Sequence, residues 1–186
     1  MSKIYLTSDT HFGHNREFIY KPRGFSSIYE HDEAIIENWN RVVGIDDVVF
    51  HLGDVMLGDN EYGMKCLNSL KGHIHIIAGN HDTDTRRALY VQAWNVEDIK
   101  WADLLNYKGY HFYLSHFPTM TGNLENESLK KMTCNLHGHT HLKQSFYNDL
   151  PYCYNVAVDA HNCIPVLLDD IITDMKAKVQ ECIEKL

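Results

Sequence analysis

The chain has 186 residues, 44% apolar and 23% charged, proportions that exclude a disordered or fibrous polypeptide and fit one globular domain over 1–186. A formal net charge of -8, with 17 Lys and Arg against 25 Asp and Glu, excludes a large nonspecific nucleic-acid surface, because phosphate backbones are held by accumulated positive charge. No apolar run approaches the roughly 20 residues that span a bilayer, and Met1 to Tyr5 lead into a strand-like run without a signal-peptide pattern, so no membrane association and a cytoplasmic location are expected.

In chain order, Ile4 to Ser8 reads as a first strand and Tyr29 to Val43 as an amphipathic helix. Val48 to Leu52 is a second strand, Glu61 to Leu70 a helix ended by Lys71-Gly72, and His73 to Ala78 a third strand. Asp84 to Gln92 reads as a short helix, and Val96 to Trp101 and His111 to Ser115 as strands around a turn at Gly109. Thr119 to Lys131 is polar and irregular, a surface loop. Thr133 to His137 and Tyr154 to Asp159 are later strands, and Leu168 to Leu186 is a closing helix. This alternation predicts a layered α/β fold. The five cysteines, Cys66, Cys134, Cys153, Cys163 and Cys182, are scattered without a C-x-x-C pair and are expected to be free thiols.

Five strand candidates run into His, Asp or Asn: "IYLTSDTH", "VVFHLGD", "IHIIAGNHD", "HFYLSHFP" and "TCNLHGHTH". Ligand sites of open α/β sheets lie beyond the carboxyl ends of strands, where distant segments converge. Asp9 and His11, like His139 and His141, stand two apart, a spacing that in extended chain puts both side chains on one face. The glycines before Asp54, Asn80 and His139 allow sharp turns and close approach. The set is Asp9, His11, Asp54, Asn80, His116, His139 and His141, too many side chains for one ion. Two divalent ions sharing a carboxylate accommodate them, and the mixture of imidazole and oxygen suits Mn, Fe, Zn or Ni.

These blocks, D-x-H, G-D, G-N-H-D, a lone His and G-H-x-H in order, resemble those of the calcineurin-like metallophosphoesterase superfamily, and "SDTHFGH", "HLGD" and "NVAVD" resemble its small bacterial and phage-type members. The resemblance implies a four-layer α-β-β-α sandwich. It also implies that Asp9, His11 and His141 hold one metal, Asn80, His116 and His139 a second, and that Asp54 bridges them. Metal-activated water would attack a phosphate ester in line, with His81 as general acid and Asp82 orienting or charge-stabilising it.

The Ser/Thr protein phosphatases of this superfamily extend G-D to G-D-x-x-D-R-G, whereas Gly53-Asp54 continues as Val55-Met56-Leu57-Gly58, which disfavours that activity. A second departure is His161, where the small members are expected to carry an aromatic residue. A phosphodiesterase is favoured, with a phosphomonoesterase or a nuclease as alternatives on the same site and nucleic acid a partner only as substrate. A non-catalytic interaction scaffold is the reading from another class, disfavoured because every ligand position and His81 are present. His14 is a candidate substrate contact, as readily read as a solvated loop residue, and for Arg16, Arg86 and Arg87 exposed helix or loop charges are the preferred reading over phosphate donors. No oligomeric state follows from the sequence.

Overall fold

A computed structural model describes residues 2–121 and 128–185. Nine strands and five α-helices appear among them: β1 (Ile4–Thr7), α1 (Glu17–Tyr20), α2 (Ile28–Val42), β2 (Val48–His51), α3 (Asn60–Asn68), β3 (His73–Ile77), α4 (Asp84–Tyr90), β4 (Val96–Lys100), β5 (Ala102–Tyr107), β6 (Tyr110–Ser115), β7 (Thr133–His137), β8 (Cys153–Asn155), β9 (Val166–Leu167) and α5 (Leu168–Glu184). The strands form two sheets, ordered β4-β3-β2-β1-β9 and β5-β6-β7-β8. In the first, β1 to β4 run parallel and β9 is antiparallel to β1. In the second, β6, β7 and β8 run parallel and β5 pairs antiparallel with β6.

Alternation along the strands builds two cores. Tyr5, Val49, Ile74 and Ile76 pack with Ile35 and Trp39 of α2 and with Leu67 of α3. The opposite face, with Leu6, Phe50 and Ile77, meets Phe112, Leu114, Leu136 and Tyr154 of the second sheet, and α5 closes this core with Leu168, Ile171, Ile172 and Met175. Helix starts carry side-chain caps: Ser27 accepts from Glu30 N–H, and Asp59 from the Glu61 and Tyr62 N–H groups, each such cap contributing on the order of 1 kcal/mol. The result is the α/β sandwich the resemblance implies. None of the described helices is long and apolar enough to cross a membrane.

Most expected elements lie within one to three residues of their positions in the structure. Four segments differ. Ala102–Tyr107 is a strand that the pattern misses, because Leu104-Leu105 breaks the alternation and the strand sits at the edge of its sheet. The expected strand Tyr154 to Asp159 is ladder-paired only over Cys153–Asn155, after which a bridge from Ala157 to Ser8 ties the two sheets together. The short helix Glu17–Tyr20 and the two-residue strand β9 were below the length that periodicity detects. Residues 122–127 of the expected loop Thr119 to Lys131 lie outside the described residues.

Candidate metal centre

The Asp9 and His11 loop leaves β1, the Gly53-Asp54 loop follows β2, Asn80 and His81 follow β3, His116 follows β6, and His139 and His141 follow β7. The loops are stitched to one another before any side chain is considered. Asp9 N–H donates to Gly53 O at 2.9 Å, His11 N–H to Asp54 O at 3.0 Å, and Gly138 N–H to His116 O at 3.0 Å. Asp9, His11, Asp54, His139 and His141 all have positive φ, between 50° and 68°. For residues with a Cβ this left-handed backbone costs roughly 1–3 kcal/mol each and marks sites where surroundings over-determine the conformation. The expected extended geometry of the D-x-H and H-x-H pairs is therefore replaced by left-handed turns, which still bring Asp9, His11 and His141 together. The glycines serve contact as much as turning: a Cβ on Gly53 would lie 2.5 Å from Gly79 N and 2.7 Å from His116 Nδ1.

Asp9, His11 and His141 each offer a ligand atom within 4.8 Å of the others, and so do Asp9, Asp54 and His116. Asp9 Oδ2 accepts from Ser8 Oγ at 2.6 Å and from His139 N–H at 2.9 Å. Its Oδ1 is buried without a partner and lies 4.0 Å from His11 Nε2 and 3.8 Å from His141 Nε2. Both ring nitrogens of His11 are also buried and have no partner among the described residues. Native proteins rarely leave such atoms unsatisfied, and a cation between them removes the deficit, so these residues fit a divalent metal. Asp54 Oδ2 stands 3.7 Å from His11 Nε2 and 3.4 Å from His116 Nε2, between the two groups. Asn80 Oδ1 is 3.0 Å from His116 Nε2. The His139 ring lies 5.1 Å from that of His116 and 4.5 Å from Phe117, outside both three-residue groups.

The surrounding charges set opposite titration behaviour in neighbouring groups. Burial pushes Asp9 up and drives His11 far down. Burial also opposes ionisation of Asp54, but the His116 hydrogen bond and charge, the His81 N–H and His11 outweigh it and hold this carboxylate well below the usual range. His116 is the reverse: burial lowers it, yet Asp54 and Asp9 raise it to about 9. Its Nδ1 donates to Leu52 O at 2.7 Å, which leaves Nε2 as the atom facing inward.

His81 sits at the rim with its backbone pinned on both sides. Its N–H donates to Asp54 Oδ1 at 2.9 Å and its carbonyl accepts from Arg86 Nη1 at 2.7 Å. The ring carries no hydrogen bond among the described residues and lies 5.5 Å from the His11 ring. Asp82 does not reach that ring. Its buried carboxylate accepts instead from Asp54 N–H at 2.7 Å, Val55 N–H at 3.1 Å, Gly79 N–H at 2.8 Å and Tyr90 Oη at 2.7 Å. The expectation that Asp82 orients His81 gives way to a role in holding the Gly53-Asp54 and Gly79-Asn80 turns together.

Two partners of the site had no place among the candidates. Asp159, the last residue of "NVAVD", accepts from His141 Nδ1 at 3.0 Å and takes a two-pronged bond from Arg23 at 2.9 and 2.7 Å. Arg23 is almost fully buried, and its Nη2 also donates to Asp9 O at 2.9 Å. The quoted block already contained Asp159, whereas a lone Arg in "KPRGF" offers no spacing to read. His161 stacks on Tyr154 at 5.6 Å with planes 16° apart and bonds to Asn155 O, so it supplies the flat ring expected there.

His14 follows Gly13 at the edge of the centre, its ring 5.4 Å from His11 and 6.5 Å from His81. Burial, helped by His81 and Arg16, brings it down to about 4. It opens onto a cleft of about 610 Å³ that Arg16, Tyr29, Tyr62 and Arg86 also line. Arg87 is engaged elsewhere, bonded to Asp84 and to Asp82 O and stacked 4.4 Å over Trp101.

Residues 2–156 match the model of the calcineurin-like phosphoesterase superfamily domain. Over the whole chain and 99% of its own length, an uncharacterised protein of Methanocaldococcus jannaschii is 34% identical. The gene 66 protein of Mycobacterium phage D29 is 28% identical over 97% of this chain and 99% of its own. Among solved structures, a protein of unknown function from Aquifex aeolicus superposes with a TM-score of 0.72 at 22% identity, covering 93% of this chain and 99% of that one.

Proposed function

We infer, because the chain belongs to the calcineurin-like phosphoesterase superfamily, that it hydrolyses phosphoric esters, and we propose a phosphodiesterase with a centre of two divalent ions. The observation that supports this reading is Asp54 Oδ2 standing 3.7 Å from His11 Nε2 and 3.4 Å from His116 Nε2, beside Asp9 and His11 atoms that are buried and unpartnered among the described residues. In this proposal Asp9, His11 and His141 would hold one ion and Asn80, His116 and His139 the other, with Asp54 available to both. Imidazole and oxygen donors together suit Mn, Fe, Zn or Ni. Ions bound there lower the pKa of water and offset the charge that grows on phosphoryl oxygens.

The protein's own groups do the rest. Asp82 fixes the two turns that present Asp54 and Asn80. Asp159 holds His141 with Nε2 inward through the bond to Nδ1. His81, whose ring has no hydrogen bond among the described residues and lies beside the centre, is the proton donor to the departing oxygen, and His14 is a contact for the substrate's phosphoryl oxygens. A diester is favoured because Gly53-Asp54 continues without the D-R-G extension of the protein phosphatases, and the cleft beyond His14 has room for a substituent on phosphorus.

The test compares bis(p-nitrophenyl) phosphate with p-nitrophenyl phosphate on protein loaded with Mn, Zn, Ni or Mg. Diester turnover that needs a transition metal and vanishes in Asp54→Asn is expected. His81→Ala should slow an alkyl-leaving diester by about a hundredfold or more and an aryl-leaving one much less, since nitrophenolate needs little protonation. Faster turnover of the monoester would replace the phosphodiesterase by a phosphomonoesterase, and equal loss on both leaving groups would remove His81 from proton transfer.

A further inference from the structure

The cleft beside the centre is larger than a phosphoryl group requires, and its lining is specific. Its floor is two loops bonded to each other, Phe12 to Arg16 and Met56 to Asp59, with Leu57 N–H donating to Phe12 O at 3.0 Å. Gly58 has φ +105° and a Cβ there would lie 2.6 Å from Gly13 O, so no side chain fills the floor. The Asp59 carboxylate faces two N–H groups at the start of α3, which offsets its charge. One wall carries cations: Arg16 is exposed and has no side-chain partner among the described residues, and Arg86, beyond its bond to His81 O, keeps a buried Nε without a partner. The other wall is aromatic, with Tyr29 65% exposed and edge-on to Tyr62 at 5.5 Å.

His14 and Arg86 connect this cleft to His81. The cleft is thus a space adjoining His81 that a group departing with its proton can enter. We propose that the cleft receives the leaving group of the substrate, and that this group carries a planar ring and a second phosphate, the chemistry of a nucleoside 5′-monophosphate. The inference rests on the phosphodiesterase reading. The ring lies against Tyr29 and Tyr62, and the second phosphate takes charge-assisted bonds from Arg16 and Arg86. The bond that breaks joins phosphorus to the oxygen of this group, which leaves as an alcohol with the proton from His81, while water supplies the new oxygen on phosphorus. The acidic overall balance fits a short nucleotide substrate better than a long polymer.

Two measurements on the metal-loaded protein test it. Calorimetric titration should show adenosine 5′-monophosphate binding about tenfold or more tighter than inorganic phosphate, a ratio that falls toward one in Arg16→Ala and in Tyr29→Ala. Turnover should favour the dinucleotide pApA, whose leaving nucleoside keeps a 5′-phosphate, over ApA by a similar factor, and Arg16→Ala should erase that preference. Equal binding of the two ligands, or ratios that neither substitution moves, would overturn the inference while hydrolysis of bis(p-nitrophenyl) phosphate still stood for the phosphodiesterase reading. No turnover of any diester would overturn both.

Discussion

Asp159 and Arg23 show how a ligand's direction is set by residues that never meet the substrate. The Asp159 carboxylate is shared between Arg23 and His141 Nδ1, and both neighbours hold it well below the ordinary carboxylate range against the opposing effect of burial. Asp159→Asn keeps the shape but removes the charge that fixes the His141 ring. Metal affinity, read by competition with a chelating dye, should weaken by about ten- to a hundredfold while the circular dichroism spectrum is unchanged; unaltered affinity would reduce the contact to packing. The seven candidate ligands were legible because short motifs preserve their spacing. Arg23 was not, since its bond to Asp159 closes over 136 residues and exists only once both sheets are assembled. Asp82 was legible as important but not for the right reason: adjacency to His81 suggested a contact that the turn directs away.

At the scale of elements, strands preceding His or Asp were readable because a run of Val, Ile and Phe announces itself by composition. Ala102–Tyr107 was hidden by its mixed edge-strand pattern, and the alternating-face geometry expected of Asp9-Thr10-His11 was wrong because the chain there has left the strand and turned left-handed. The loops between strands are held by close backbone contact, which makes one glycine very different from another. Gly53→Ala places a methyl against Gly79 N and His116 Nδ1, whereas Gly109, φ +79°, has nothing within 4 Å of such a methyl. Gly109→Ala should cost only the conformational strain, about 1 kcal/mol, and Gly53→Ala well above 2 kcal/mol, as measured by urea unfolding. Equal losses would show that the Gly53 turn can relax.

For the molecule as a whole, buried imidazoles make stability depend on acidity. His51 is fully buried, donates from Nε2 to Thr10 Oγ1 while that hydroxyl donates to Val55 O, and is brought down to about 3, first by burial. The unfolded chain binds this proton near pH 6.5 and the folded one does not until about 3. The contribution is thus complete above pH 6.5 and is lost as pH falls, by up to about 1.4 kcal/mol for each pH unit. His116, raised to about 9 by Asp54 and Asp9 against burial, acts in the opposite sense. Its contribution is complete below pH 6.5 and is lost as pH rises toward 9. Chelator-treated protein should therefore be most stable near neutrality, with a denaturant midpoint that drops from about pH 7 to about pH 5 and drops less in His51→Asn. A midpoint that rose in acid would mean that His51 takes up a proton in the folded state. The layered fold itself was legible at this scale, because the pattern of short strands and intervening helices constrains the layers more tightly than it constrains any one boundary.

The left-handed turns at Asp9, His11, Asp54, His139 and His141 bear on transplantation. Copying seven side chains onto another scaffold would reproduce the inventory without the interlocked backbones that aim it, and a host with ordinary strand ends would point the same atoms elsewhere. The portable unit is the set of loops with their glycines and the two sheets that press them together, so in engineering terms the centre and its fold are one part.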